Sequence, residues 1–155
     1  MDTLMMAKQR VAGMHLRSHR VRAVAASEDS ATEARVDEFC RGLAKQLGES
    51  CELNQQIWLL SELRMPQLRA IAATEAAAAD LVIISVHHAE GLPNELQAWI
   101  DLWLPRKRKP RSLLLALFDP VYSGVSATLR ASLEAVARKG HMEFLAQSED
   151  APAGQ

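Results

Sequence analysis

Ala79-Asp80-Leu81-Val82-Ile83-Ile84-Ser85-Val86, followed by Leu92-Pro93 and Asn94-Glu95-Leu96-Gln97-Ala98-Trp99-Ile100-Asp101, is the stretch that decides the fold. Leu81 to Ser85 shows no polar alternation, as expected of a strand covered on both faces. A loop with His87, His88, Glu90 and Gly91 comes next. The residues after it place Leu92, Leu96, Trp99, Ile100 and Trp103 on one face of a helix that opens near Pro93 and stops at Pro105. Strand, loop and helix in that order is how a parallel α/β sheet presents a site beyond the carboxyl ends of its strands.

The same grammar extends in both directions. Val21 to Ala26 reads as a short strand, and Ser27 to Thr32 as a polar loop and cap region. Val36, Phe39, Cys40, Leu43 and Leu47 follow helical spacing, with Gly48 placed to end that helix. Cys51 to Leu60 reads as a second strand. Pro66 opens an alanine-rich helix that runs to Ala79 and whose small side chains suit close packing. Ser112 to Phe118 is a second continuous apolar run. Val125, Leu129, Leu133 and Val136 mark a further helix, closed by Gly140, and Met142 to Ala146 a last strand. The alternation β-α-β-α-β-α-β-α-β implies a three-layer αβα sandwich around a five-stranded parallel sheet. Residues 20–147 form this domain. Residues 1–19 are expected as a flexible N-terminal extension with several basic residues, and 148–155 as a disordered tail.

Composition narrows the function classes. The chain has 155 residues, enough for one domain with a real core. Its formal net charge of -1 gives no general attraction to nucleic acid or to acidic membranes. Two cysteines, Cys40 and Cys51, make no disulfide framework, and Met1 to Arg20 lacks the apolar core of a secretory signal. No window is long and apolar enough to span a bilayer. A cytoplasmic location is therefore expected, with neither membrane nor nucleic acid as a partner. The basic run Arg106-Lys107-Arg108-Lys109 with Arg111 precedes the fourth strand, on the side away from the expected cleft, and reads as a solvated loop. Trp99 and Trp103, four residues apart, form one ridge; it packs in the core or, if exposed, marks a homodimer interface.

Two large groups share this element order with strand order 2-1-3-4-5, the response-regulator receivers and the flavodoxin-like proteins. Receivers carry a phosphoacceptor Asp at the end of the third strand, where this chain has Ser85-Val86-His87, and a Lys after the fifth, where it has Gln147. Phosphotransfer is therefore rejected. The first βα turn, Ala25-Ala26-Ser27-Glu28-Asp29-Ser30, lacks G-x-G-x-x-G, and no P-loop occurs. Ala79-Asp80, the strand Leu81 to Ser85, Gly91, Pro93, Leu96, Ile100, Asp101 and Lys109-Pro110 fall in the order seen in NAD(P)H-dependent FMN reductases. Over about one-third of its length the chain thus resembles a divergent member of the flavodoxin-like superfamily.

That resemblance implies an FMN site. Ser27, Ser30 and Thr32 would hold the phosphate, while His87, His88, Gly91 and Tyr122, in the loops 87–91 and 119–124, would flank the ring. The departures point elsewhere. Glu28 and Asp29 stand in the phosphate loop, which has no Lys or Arg, and His87-His88-Ala89-Glu90-Gly91 replaces an aromatic-bearing loop. A divergent domain without bound cofactor, acting as a small-molecule-binding or protein-interaction module, is the leading expectation. An FMN-dependent NAD(P)H oxidoreductase is the alternative. A metal site built from His87, His88, Glu90, Asp119, Glu28 or Asp29 has no supporting spacing. A triad from Ser85, Ser123 or Ser126 with His87 and Asp119 has no G-x-S-x-G elbow. No catalytic residue is therefore assigned.

Overall fold

A computed structural model describes residues 3–13, 20–49, 51–86, 92–107, 112–118 and 126–147. Five parallel strands, β1 (Arg20–Ser27), β2 (Glu52–Leu59), β3 (Leu81–Val86), β4 (Leu113–Phe118) and β5 (Glu143–Gln147), form one sheet in the order β2-β1-β3-β4-β5. This is the flavodoxin-like order expected from the alternation. Every residue of β3 and β4 is buried. Their largely apolar sequences, with neighbours in register from Leu81–Leu113 to Val86–Phe118, form the spine of the domain.

The handedness of crossovers assigns the helices to faces. The connection from β1 to β2 runs one way across the sheet, and the connections onward to β3, β4 and β5 run the other way. Right-handed crossovers therefore place one helix on one face and the rest on the opposite face. The apolar clusters follow that division. On one face α4 (Pro66–Ala77), α5 (Asn94–Trp103) and α6 (Ser126–Lys139), with the short α3 (Leu60–Leu63), pack on Val24, Ala26, Val82, Ile84, Leu114 and Ala116. On the other face α2 (Ser30–Leu47) contributes Val36, Phe39, Cys40 and Leu43 against Ala23, Ala25, Leu81 and Ile83.

One crossover helix does not cover five strands. Leu113, Leu115, Leu117 and Leu145 lie on the α2 face, and the N-terminal segment joins them there. Thr3–Ala12 forms α1, with Ala7 and Val11 fully buried in the same cluster. Arg10 Nε meets Glu143 Oε1 of β5 at 2.9 Å, and Leu4 lies so close to α2 that a β-carbon on Gly42 would come within 3.1 Å of it. The segment expected as a flexible extension thus supplies a helix to the domain. Covering an otherwise bare apolar face is the physical reason.

Other differences are local. The second strand stops at Leu59, because Leu60 and Leu63 turn inward as the buried side of α3 while Glu62 Oε1 accepts from Leu59 N at 2.9 Å. Trp99 and Trp103 are fully buried and meet edge to face, with ring centroids 5.7 Å apart, so their ridge belongs to the core. Lys107, from the basic run, donates to Ala76 O at 2.7 Å and Ala79 O at 2.6 Å. It thereby caps the end of α4 and lies 5.9 Å from the Trp103 ring centre. Arg106 Nε donates to Leu102 O at 3.1 Å; residues 108–111 lie outside the described residues. Among the described residues, no helix is long and apolar enough to cross a membrane.

Docking of α1 is directly testable. Val11→Asp places an unpaired carboxylate in a closed apolar cluster and is expected to cost about 3 kcal/mol. The thermal midpoint should fall by roughly 6–12 °C. An unchanged midpoint would show that residues 1–19 contribute nothing to stability.

Candidate functional site

The order of the strands reverses between β1 and β3, so the connections leaving their carboxyl ends diverge there. That divergence is where open α/β sheets place ligands. Ser27 ends β1 and Ser85 stands one residue from the end of β3; they are neighbours in register, and both are fully buried. Parallel register and alternation put both hydroxyls on the α2 face. Glu28 N donates to Ser85 O at 3.1 Å and carries the β1–β3 ladder one step past Ser27.

The two serines differ in their bonding. Ser27 Oγ donates to Trp58 O over a long 3.4 Å. Among the described residues Ser85 Oγ is buried without a hydrogen-bond partner, as are Trp99 Nε1 and Trp103 Nε1 on α5. Leaving a buried hydroxyl unmade typically costs about 1–3 kcal/mol.

The neighbouring N-terminus of α2 is closed by its own chain. Asp29 is the cap: its Oδ1 accepts from Thr32 N at 3.0 Å, and Thr32 Oγ1 accepts in return from Asp29 N at 2.9 Å. The Thr32 hydroxyl also lies 3.0 Å from Asp29 O, which is within donating distance. Ser30 is exposed at the first helical position. Of the three residues expected to hold a phosphate, Thr32 is therefore engaged in a capping box, Ser27 is buried at the end of its strand, and Ser30 faces solvent. A carboxylate already meets the positive end of the helix there. His87, His88, Gly91 and Tyr122 lie outside the described residues, as do Glu90, Asp119 and Ser123. Among the described residues, no group of three or more His, Cys, Asp and Glu could hold a metal ion.

Asp80, half of the Ala79-Asp80 pair, sits at the opposite end of the sheet. Its Oδ2 accepts from Arg22 N at 2.9 Å, its own N–H donates to Arg22 O at 3.0 Å, and its carbonyl accepts from Leu113 N at 2.9 Å. It ties β1, β3 and β4 together at their amino ends. A concavity of about 210 Å³, away from Ser27 and Ser85, is lined by Arg22, Val24, Asn54, Gln56 and Glu75. Glu75 Oε1 accepts there from Trp58 Nε1 at 2.9 Å.

Residues 27–32, expected from the sequence as a polar loop and cap region and from the resemblance as a phosphate loop, hold a reciprocal cap. The D-x-x-T spacing at Asp29 and Thr32 was the available signal. Ser85 reads from the sequence as the end of the buried strand run and as a triad candidate. Its burial follows from that strand's being covered on both faces; what only the folded chain shows is that its hydroxyl finds no partner among the described residues.

The chain matches no protein-family model, and no curated protein matches it.

Neither cysteine is set up as a nucleophile. Burial, and to a lesser degree Asp37, pushes the Cys40 thiol from its ordinary 9.0 up to about 12. Burial followed by Asp80 also raises Cys51, which is half-buried. An unfolded chain loses the Cys40 proton near 9.0 and the folded chain only near 12, so alkaline pH favours unfolding through this group. The expected outcome is stability that falls as pH rises from 9.0 towards 12, less steeply in Cys40→Ala, measured by urea unfolding. With a thiol reagent near pH 8, Cys51 should react in the native protein and Cys40 only after denaturation.

Proposed function

We propose that this chain is a small-molecule-binding module of flavodoxin-like architecture, with its ligand beyond the carboxyl ends of β1 and β3. The observation that carries this reading is the Ser85 hydroxyl, fully buried, without a partner among the described residues, and beside Ser27 at the point where strand order reverses. Buried polar atoms in folded proteins are nearly always bonded, and an exception at this position is what a ligand's polar atom would satisfy.

The electrostatics bear on the kind of ligand. Asp29 occupies the end of α2 where a phosphate would otherwise sit on free N–H groups. A phosphate there would have to displace a carboxylate that already closes a capping box. The reading therefore favours a neutral or cationic polar ligand over FMN, and binding over flavin redox chemistry. The loops 87–91 and 119–124 would complete the pocket, with His87, His88 and Tyr122 as its candidate contacts.

Two measurements test this. Purified protein should be colourless and should not quench FMN fluorescence at micromolar concentration; a yellow protein, or one that quenches, would overturn the reading in favour of a flavin-dependent oxidoreductase. Uncharged nucleosides, polyols and amino acids should include compounds that raise the thermal midpoint. Ser85→Ala should abolish that rise while leaving the free protein equally stable or up to about 1 kcal/mol more stable, since it removes an unsatisfied hydroxyl. A Ser85→Ala protein that is clearly destabilised, with its ligand response intact, would assign the hydroxyl a structural role instead.

A further inference from the structure

The exposed edge of β2 is built without the features that normally keep sheet edges apart. β2 pairs with β1 one-to-one from Arg20–Glu52 to Ser27–Leu59, so it contains no bulge. Its sequence, Glu52-Leu53-Asn54-Gln55-Gln56-Ile57-Trp58-Leu59, has no Pro, Lys or Arg, and its single charge is at the first position. Asn54, Gln55 and Gln56 are exposed at its centre, while Leu53 and Ile57 are half-buried. Natural edges are usually blunted by charge, proline, bulges or short length. This one is long, regular and neutral.

We propose that this edge pairs antiparallel with β2 of a second copy, joining two sheets into one across a twofold axis at Gln55. The sequence of the strand selects that partner. A twofold axis perpendicular to the sheet keeps each face on its own side, so Leu53, Gln55 and Ile57 can only oppose one another, as can Glu52, Asn54, Gln56 and Trp58. With Gln55 opposite its twin, Leu53 meets Ile57 on one face and Asn54 meets Gln56 on the other, so the central pairs are matched and only the end pair sets Glu52 against Trp58. Sliding the pairing either way sets amides against apolar side chains: Gln55 against Ile57 and Asn54 against Trp58 in one direction, Leu53 against Gln55 in the other. In the matched register no two like charges face each other. The Gln55 amide already donates from Nε2 to Asp37 Oδ1 at 2.9 Å, and its oxygen and second N–H stay available to a twin. The buried Trp99 and Trp103 take no part. This interface is independent of the site at the carboxyl ends.

The test exploits the self-opposed position. Sedimentation equilibrium of the full chain should show a monomer–dimer equilibrium. Gln55→Lys and Gln55→Glu, at an exposed site, should each keep the fold by circular dichroism yet weaken the dimer by about fivefold or more, because like charges then face each other. An equimolar mixture of the two variants should restore association, as Lys then faces Glu. A wild-type chain that stays monomeric up to several hundred micromolar would overturn the proposal. So would a dimer that both variants leave intact, or a monomer whose β2 edge instead takes up an extended peptide of another sequence.

Discussion

Everything in this molecule depends on a sheet whose central strands are apolar on both faces. β3 and β4 have no solvent side at all. A strand of that kind is stable only if each face receives a helix, because burying one large aliphatic side chain contributes about 1.5–3 kcal/mol and exposing it forfeits as much. The covering requirement explains features that look unrelated along the chain. It draws the alanine-rich α4 close to the sheet, buries Ala72, Ala73 and Ala76, and sets Trp99 and Trp103 edge to face beneath α5.

The same requirement accounts for α1. Crossover handedness allows α2 alone on its side, and the half of that face formed by β4 and β5 is closed by a helix from before β1. Ala7 and Val11 are modest contributors by size, yet both are completely enclosed. The chain therefore begins its fold at the strand farthest from β1 in the sheet. The Arg10–Glu143 pair at 2.9 Å marks the contact, although both side chains are about half exposed and the pair contributes little to stability.

Polar residues divide by the end of the sheet they occupy. At the amino ends, Asp80 and Lys107 saturate backbone groups of β1 and α4 and act as clasps. At the carboxyl ends, Asp29 and Thr32 saturate α2, while Ser85 is left over. Asp80 thus serves the fold, and the candidate site rests on Ser85.

The amino-acid sequence by itself determined the strands, the order of elements and the parallel sheet. Those follow from local signals: apolar runs without alternation at 81–84 and 113–118, helical spacing at 36–47 and 96–103, and prolines and glycines at the boundaries. Tertiary structure alone decided where α1 goes, because a helix with two small buried residues carries too weak a pattern to announce its partner. It also decided that Leu60 leaves the second strand, that Lys107 is a cap rather than a free charge, and that the Ser85 hydroxyl is enclosed. Each of these depends on what the rest of the chain brings within a few ångströms. Periodicity along one segment records which side of that segment is apolar, but not which surface comes to meet it.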